Sequence, residues 1–498
     1  MALPGHLDDG AGEGEEGPRI PLLGTYRDDV SPCLADFASE GNFDEDKPSG
    51  SEPQLGWFLT ASYGSGHVLN DLSASMWFFY AVIYLQEVLA LSEKTTGGIV
   101  LIGQVVDALT TPLVGYASDH TTTVFGSRKP WHLFGVISVA LTFPLVFGGC
   151  LGSLCVLNPW HDTRRSHGLL IAFISLFQIG WASTQVSHLA LMSDITSTRK
   201  QRTTLSAVRY GVTVTCNICS LIALSVGLSY GKSSGEESEG PLRSGLSRDD
   251  QSTFQILSWS ITLIGTLSAV LFYFGIPNHP KKHSQQSQDA VVKWNFFEDP
   301  RFWKHGVLYM LSRLMINLNM VYMPLYVQST MGMPKRCLAT LPLLMYIASL
   351  FSTGCQNYTN KKLGRTSAYA LGAGAQVCGS LGLFFLPRNA SGAMYLIVPV
   401  IGMAGTCMLV NVISMTSDML HDQCSVSAKV FGLYSFTDKL CSGIAIAVIQ
   451  ASISRGGICY RKILGLVPLG AAVLSLALCI CTRASHPLFA GLRSTQEL

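Results

Sequence analysis

Apolar stretches of roughly 20 residues or more, separated by short polar segments, repeat along most of this chain. A membrane-crossing helix needs about 20 mostly apolar residues, because hydrocarbon offers no partner for a backbone N–H or C=O. Twelve stretches reach that length: 57–88, 95–117, 131–153, 167–193, 203–228, 252–276, 303–328, 337–357, 366–386, 393–417, 427–452 and 462–482. The pattern predicts an all-α polytopic membrane protein of twelve transmembrane helices.

Two interruptions exceed a hairpin. Residues 229–251 form a polar loop between the fifth and sixth spans, and 277–302 form a linker between the sixth and seventh. The linker divides the chain into six-helix bundles at 56–276 and 303–482. Its Trp294, Phe296, Phe297 and Phe302 predict a segment lying in the membrane interface. The halves echo one another: GYASDHTTTVFGSRKPW follows the second span and GCQNYTNKKLGRTSAY the eighth, each a basic hairpin with a glycine before its arginine. Six-helix repeats of this kind fit one class of secondary transporter. Residues 1–55 are acidic and rich in Gly, Pro and Ser, which predicts a disordered tail, and 483–498 form a second tail. No cleavable signal peptide is expected, since no basic segment leads into a short apolar run.

Composition narrows the function. The chain is 48% hydrophobic and 13% charged, against about 25% charged in soluble domains. A net charge of +2 gives no basic footprint for nucleic acid. Most of the 14 cysteines stand singly in apolar spans and read as small apolar filler, while Cys150 and Cys155 are a candidate pair for an oxidising lumen. Arg128, Lys129, Arg199, Lys200, Arg202, Lys281, Lys282, Lys361, Lys362 and Arg365 fall on one side, and Arg164, Arg165, Lys335 and Arg336 on the other. The richer side is expected to be cytosolic, with both tails on it. The Asn389 sequon then lies on the lumenal or outer side as a glycosylation candidate, whereas that at Asn357 lies in the cytosol.

Ionisable groups inside the spans are the candidate chemistry, because a charge near the bilayer centre costs about 2.5–3.5 kcal/mol on insertion scales. Asp71, Asp107, Arg313 and Lys439 fall near mid-span. They offset one another only if they face a shared polar cleft between the halves. Static ion pairs holding the halves together are the structural alternative. His67 precedes Asp71 by four residues, on the same helical face, and the pair could carry a proton. Trp181 and Gln185 share a face of the fourth span and are candidate cavity lining. Asp119 with Gly126, Arg128 and Lys129 predicts a gating latch between neighbouring helices. No catalytic motif or metal cluster stands out, so an enzyme is the least favoured class.

These residues carry a family resemblance. The hairpin from Gly115 to Lys129 resembles the loop signature of the major facilitator superfamily, and YGSGHVLND with VVDALTTP resembles its glycoside-pentoside-hexuronide:cation symporter branch. The resemblance implies substrate contact at Asp71 and Lys439 and ion coupling at Asp107. The family's second cation-site carboxylate is Thr111 here, and the arginine one turn earlier is Gln104. A two-carboxylate sodium site is therefore incomplete, which leaves proton coupling or facilitated exchange; no cofactor other than a coupling proton is implied. GHVLNDLSASMWF, RKPWHL, WASTQVSHLAL and YMPLYVQSTMGMPKRCLATLPLLMY resemble an animal group within the superfamily that imports cysteine into lysosomes and melanosomes. Cysteine is thus implied by resemblance alone. Pro21–Leu23 only faintly resembles a dileucine sorting signal. The expectation is a monomeric alternating-access transporter of a small molecule in a lipid bilayer, with cysteine as cargo. The competitors are a sugar:cation symporter and a non-transporting sensor with a transporter fold.

Overall fold

A computed structural model describes residues 55–148, 163–196, 198–230, 245–278, 296–420, 424–454, 456 and 459–484. The acidic tail, Pro21–Leu23, Cys150 and Cys155, Arg164 and Arg165, Lys281 and Lys282, Trp294, and residues 485–498 fall outside what is described, in whole or in their side chains.

The long elements are α1 (Trp57–Ser65), α2 (Val68–Ile83), α3 (Glu93–His120), α4 (Lys129–Gly148), α5 (Thr163–Ile195), α6 (Arg199–Tyr230), α7 (Gln251–Gly275), α8 (Pro300–Leu325), α9 (Cys337–Leu363), α10 (Arg365–Phe385), α11 (Met394–Met419), α12 (Cys424–Ser454) and α13 (Tyr460–Ala484). The described residues include no strand. Helices α1 and α2 together make one crossing, so thirteen helices give the twelve crossings expected.

Among the described residues, eleven of the twelve crossings are long and apolar enough to span a membrane by length and composition alone. The exception is α8, which carries Arg301, Lys304, Arg313, Asn317 and Asn319. Its polar groups turn inward: Ser312, Asn317 and Asn319 are buried among other helices. A helix covered by its neighbours need not be apolar all round.

Small residues let helices approach. A side chain on Gly135 of α4 would run into Gly180 O and Thr184 of α5, and one on Gly402 of α11 into Met345 O of α9. The linker departs from expectation at its end. Phe297 is half exposed, as an interfacial residue should be, but Phe302 is 2% exposed and packs against Tyr434. Asp299 caps α8 by accepting from Arg301 N at 2.8 Å, and the Arg301 guanidinium hydrogen-bonded to it holds its carboxyl below the usual range.

Candidate functional site

The first span breaks at Gly66–His67, one turn before Asp71. A side chain at Gly66 would meet the Phe272 ring of α7, so α7 packs closely against the break. Carbonyls at the break are taken by histidines from other helices: His188 Nε2–H donates to Tyr63 O at 2.8 Å, and His132 Nε2–H to Gly66 O at 3.0 Å. Imidazoles thus replace ladder bonds lost at the break. His67 Nδ1 lies 2.9 Å from Asp71 Oδ1, as the four-residue spacing predicts. Its Nε2 lies 3.2 Å from an Arg209 amine. An arginine only donates, so Nε2 accepts and the proton sits on Nδ1, close to Asp71 Oδ1 but without the alignment of a hydrogen bond. Thr213 Oγ1 donates to the other Asp71 oxygen at 3.0 Å.

A second charged pair joins the halves. Lys439 Nζ on α12 donates to Asp107 Oδ1 on α3 at 2.7 Å and to Thr111 Oγ1 at 2.8 Å. The side chains are 12% and 3% exposed, so both charges are largely out of water. Lys439 Nζ also lies 5.5 Å from the centre of the Trp181 ring. Trp181 in turn exchanges hydrogen bonds with the backbone and side chain of Asn70. It therefore stands between the Asp71 cluster and Lys439. Gln185, one turn on, is half-buried and has no hydrogen-bond partner among the described residues.

A third pair lies within the C-terminal half, where Arg313 Nε donates to Asp438 Oδ2 at 2.9 Å. Beside it a cavity of about 640 Å³ runs along α6, α8, α9 and α11. Ser206 and Tyr210 come from the first turns of α6, and Thr353 and Asn357 from the last turns of α9. The cavity thus reaches from Arg313 toward the face bearing the basic hairpins.

At the opposite face the halves are bonded together. Lys335 Nζ, before α9, lies 2.8 and 3.0 Å from the two carboxylate oxygens of Asp250, before α7. Leu246 N donates to Gln328 Oε1 at 2.8 Å, Tyr80 OH to Leu338 O at 3.1 Å, and Gln86 Nε2 to Gln450 Oε1 at 2.7 Å.

The hairpin residues only partly form the expected latch. Arg128 pairs with Asp119 and Ser118, and its Nε lies 3.9 Å from Asp194 Oδ2 at the end of α5. Gly126 makes the turn with φ +95°. Lys129 does not join this group: it reaches Ile276 O at 2.5 Å and Asn278 Oδ1 at 2.7 Å, tying α4 to the end of α7. The C-terminal half repeats the device, with Gly364 at φ +76° and Arg365 paired to Asp418 of α11. Asn389 is exposed in the turn between α10 and α11, away from the basic face.

The structure therefore brings Asp107, Thr111, Lys439 and Trp181 together, and separately His67 with Asp71. It does not pair Asp71 with Lys439. Arg209, the Asp438 partner of Arg313, and the Asp250–Lys335 contact lie beyond the sequence reading. Arg209 sits three turns into α6 and resembles the flanking basic residues Arg199 and Arg202, so only packing distinguishes it.

Comparison with known proteins gives consistent results. The model of the family described as MFS/sugar transport protein matches residues 62–485. Human major facilitator superfamily domain-containing protein 12 is 32% identical over 450 residues, covering 86% of this chain and 93% of that protein. An isoprimeverose transporter from Lactiplantibacillus pentosus is 22% identical over 424 residues, covering 80% of this chain and 81% of its own. Among solved structures, a D-xylose-proton symporter superposes with a TM-score of 0.57 at 15% identity, over 84% of this chain and 96% of that one.

Proposed function

Because the chain belongs to the MFS/sugar transport protein family of membrane transporters, and is not an enzyme, we propose that it carries cysteine from the cytosol into lysosomes or melanosomes by alternating access. The observation that carries this reading is the charge balance of the centre. Asp71, Asp107 and Asp438 are matched by Arg209, Lys439 and Arg313. The centre is thus net-neutral, with its three carboxylates buried and Arg313 more exposed than Lys439, and that balance suits a zwitterion, which brings equal and opposite charge. The cysteine resemblance of the sequence motifs supplies the identity.

In this reading substrate engages Asp71, Trp181, Gln185 and Lys439, while Asp107, Thr111 and His67 couple its movement to a proton. The Asp107–Lys439 bond closes the centre between α3 and α12, and opening it exposes Lys439 to the substrate carboxylate. The bonded face is the lumenal one and the cavity faces the cytosol, an inward-facing arrangement. Asp119, Gly126 and Arg128 brace the cytosolic ends of the N-terminal helices, with Lys129 tying α4 to α7. The protein works as a monomer with both tails cytosolic, and Asn389 bears a glycan.

The test is flux of labelled cysteine into proteoliposomes for wild type and Asp107→Asn. Flux in wild type and its loss in a correctly folded variant supports the reading. Absence of cysteine flux in folded wild type overturns it. The second reading, a sugar:cation symporter, is favoured by the name of the Lactiplantibacillus relative. Labelled sugar in the same vesicles separates the two.

A further inference from the structure

We propose that Arg313 binds a carboxylate of the transported solute, so that the cargo is an organic acid or zwitterion whose apolar part packs against the C-terminal half. The inference rests on the transport reading and adds a binding residue to it.

Arg313 is the one charged side chain among the described residues in the wall of the 640 Å³ cavity. Its bond to Asp438 is made through Nε alone. Asp438 is itself fixed: its second oxygen accepts from Asn317 Nδ2 and Ser442 Oγ, each at 3.3 Å. The acid is 3% exposed and the arginine 30%. A static ion pair would use the guanidinium fork on its partner and bury it. Here the partner holds the guanidinium from behind, and the two terminal nitrogens make no hydrogen bond to a described residue. They carry four N–H donors in the planar fork that matches a carboxylate. An anchored fork loses little conformational freedom on binding, so the receptor is preorganised.

The rest of the wall supports the same class of cargo. Ile316, Met320, Met345 and Leu350 give it apolar surface. Among the described residues of the wall there is no carboxylate to accept from sugar hydroxyls. Tyr346 of α9 and Tyr210 of α6 also lie in the wall, and their hydroxyls are polar groups without charge.

The experiment uses purified full-length protein and matched probes: cysteine with cysteinamide, and methionine with methioninamide. Binding is read by ligand-dependent thermal stabilisation for wild type, Arg313→Lys and the charge-neutral Arg313→Gln/Asp438→Asn pair. The inference expects wild type to prefer the carboxylate of at least one pair on the order of tenfold or more. It expects the preference to fall to within about twofold in the double variant and to drop in Arg313→Lys, which keeps the charge but not the fork. If the double variant does not fold, Arg313→Lys decides. Equal binding of acid and amide by wild type, or a preference unchanged in the variants, overturns the inference. Carboxylate preference without cysteine flux defeats the cysteine reading and leaves Arg313 in place. Cysteine flux with KM unchanged in Arg313→Lys does the reverse.

Discussion

The Asp107–Lys439 bond is the contact whose removal can be worked through in energy. Both side chains are largely withdrawn from water, at 3% and 12% exposure, and the 2.7 Å separation is that of a charge-assisted hydrogen bond. Removing one member of a buried pair costs about 3–5 kcal/mol, because it leaves an uncompensated charge. The two single changes are not equivalent. In Asp107→Asn the stranded ammonium keeps Thr111 Oγ1 and the Trp181 ring at 5.5 Å. An ammonium that keeps these contacts is only partly uncompensated, so the cost is expected at the lower end of that range, about 3 kcal/mol. In Lys439→Met the carboxylate loses its cation and retains only a 3.5 Å contact to Thr111, so the full ~3–5 kcal/mol is expected. The double variant removes both charges and should lie within about 1.5 kcal/mol of wild type. The assay is chemical denaturation in mixed micelles for the four proteins of the cycle. A coupling of at least ~3 kcal/mol is expected, with neither cysteine flux nor coupling restored in the stable double variant. Additivity of the single costs to within about 0.5 kcal/mol would refute the reasoning, since independent sites behave that way.

Three further outcomes are expected. Lys335→Gln breaks the contact to Asp250 yet leaves the bond from Ser247 N to Asp250, so the start of α7 stays capped. Loss of a partly buried charged hydrogen bond, about 1.5–3 kcal/mol, should shift the balance toward opening at that face by roughly tenfold or more; distances between labels on Arg248 and Arg336 report it, and an unchanged distribution counts against a gate. Gly126→Ala places a side chain at φ +95° and should cost about 1–2 kcal/mol, whereas Gly98→Ala, in open space on α3, should be neutral or stabilising by up to ~1 kcal/mol; thermal unfolding compares them, and equal effects would remove the turn argument. Asn389→Gln should abolish a glycosidase-sensitive mobility shift while Asn357→Gln leaves it intact, and the opposite result would invert the orientation.

The sequence by itself determined the crossings, because a bilayer allows little besides long apolar helices and counting them needs no knowledge of packing. Helix periodicity also sufficed for His67 with Asp71, since four residues are one turn and the contact is local. The twin basic hairpins were legible for the same reason: Gly126–Arg128 and Gly364–Arg365 are short-range turns. Other features needed tertiary structure. Lys439 is separated from Asp107 by most of the chain, so nothing local could show that it bonds the acid across the halves. The hydropathy of α8 falls short because its polar face is covered by other helices, which composition cannot reveal. Lys129 sits beside Arg128 in sequence, yet the two diverge, one to the α3 and α5 acids and the other to the end of α7. Arg209, the pairing of Asp438 with Arg313 and the Asp250–Lys335 contact came to light only when helices distant in sequence were set side by side. Charge type and depth can be read along a chain, but which charges face each other is decided by how the helices pack.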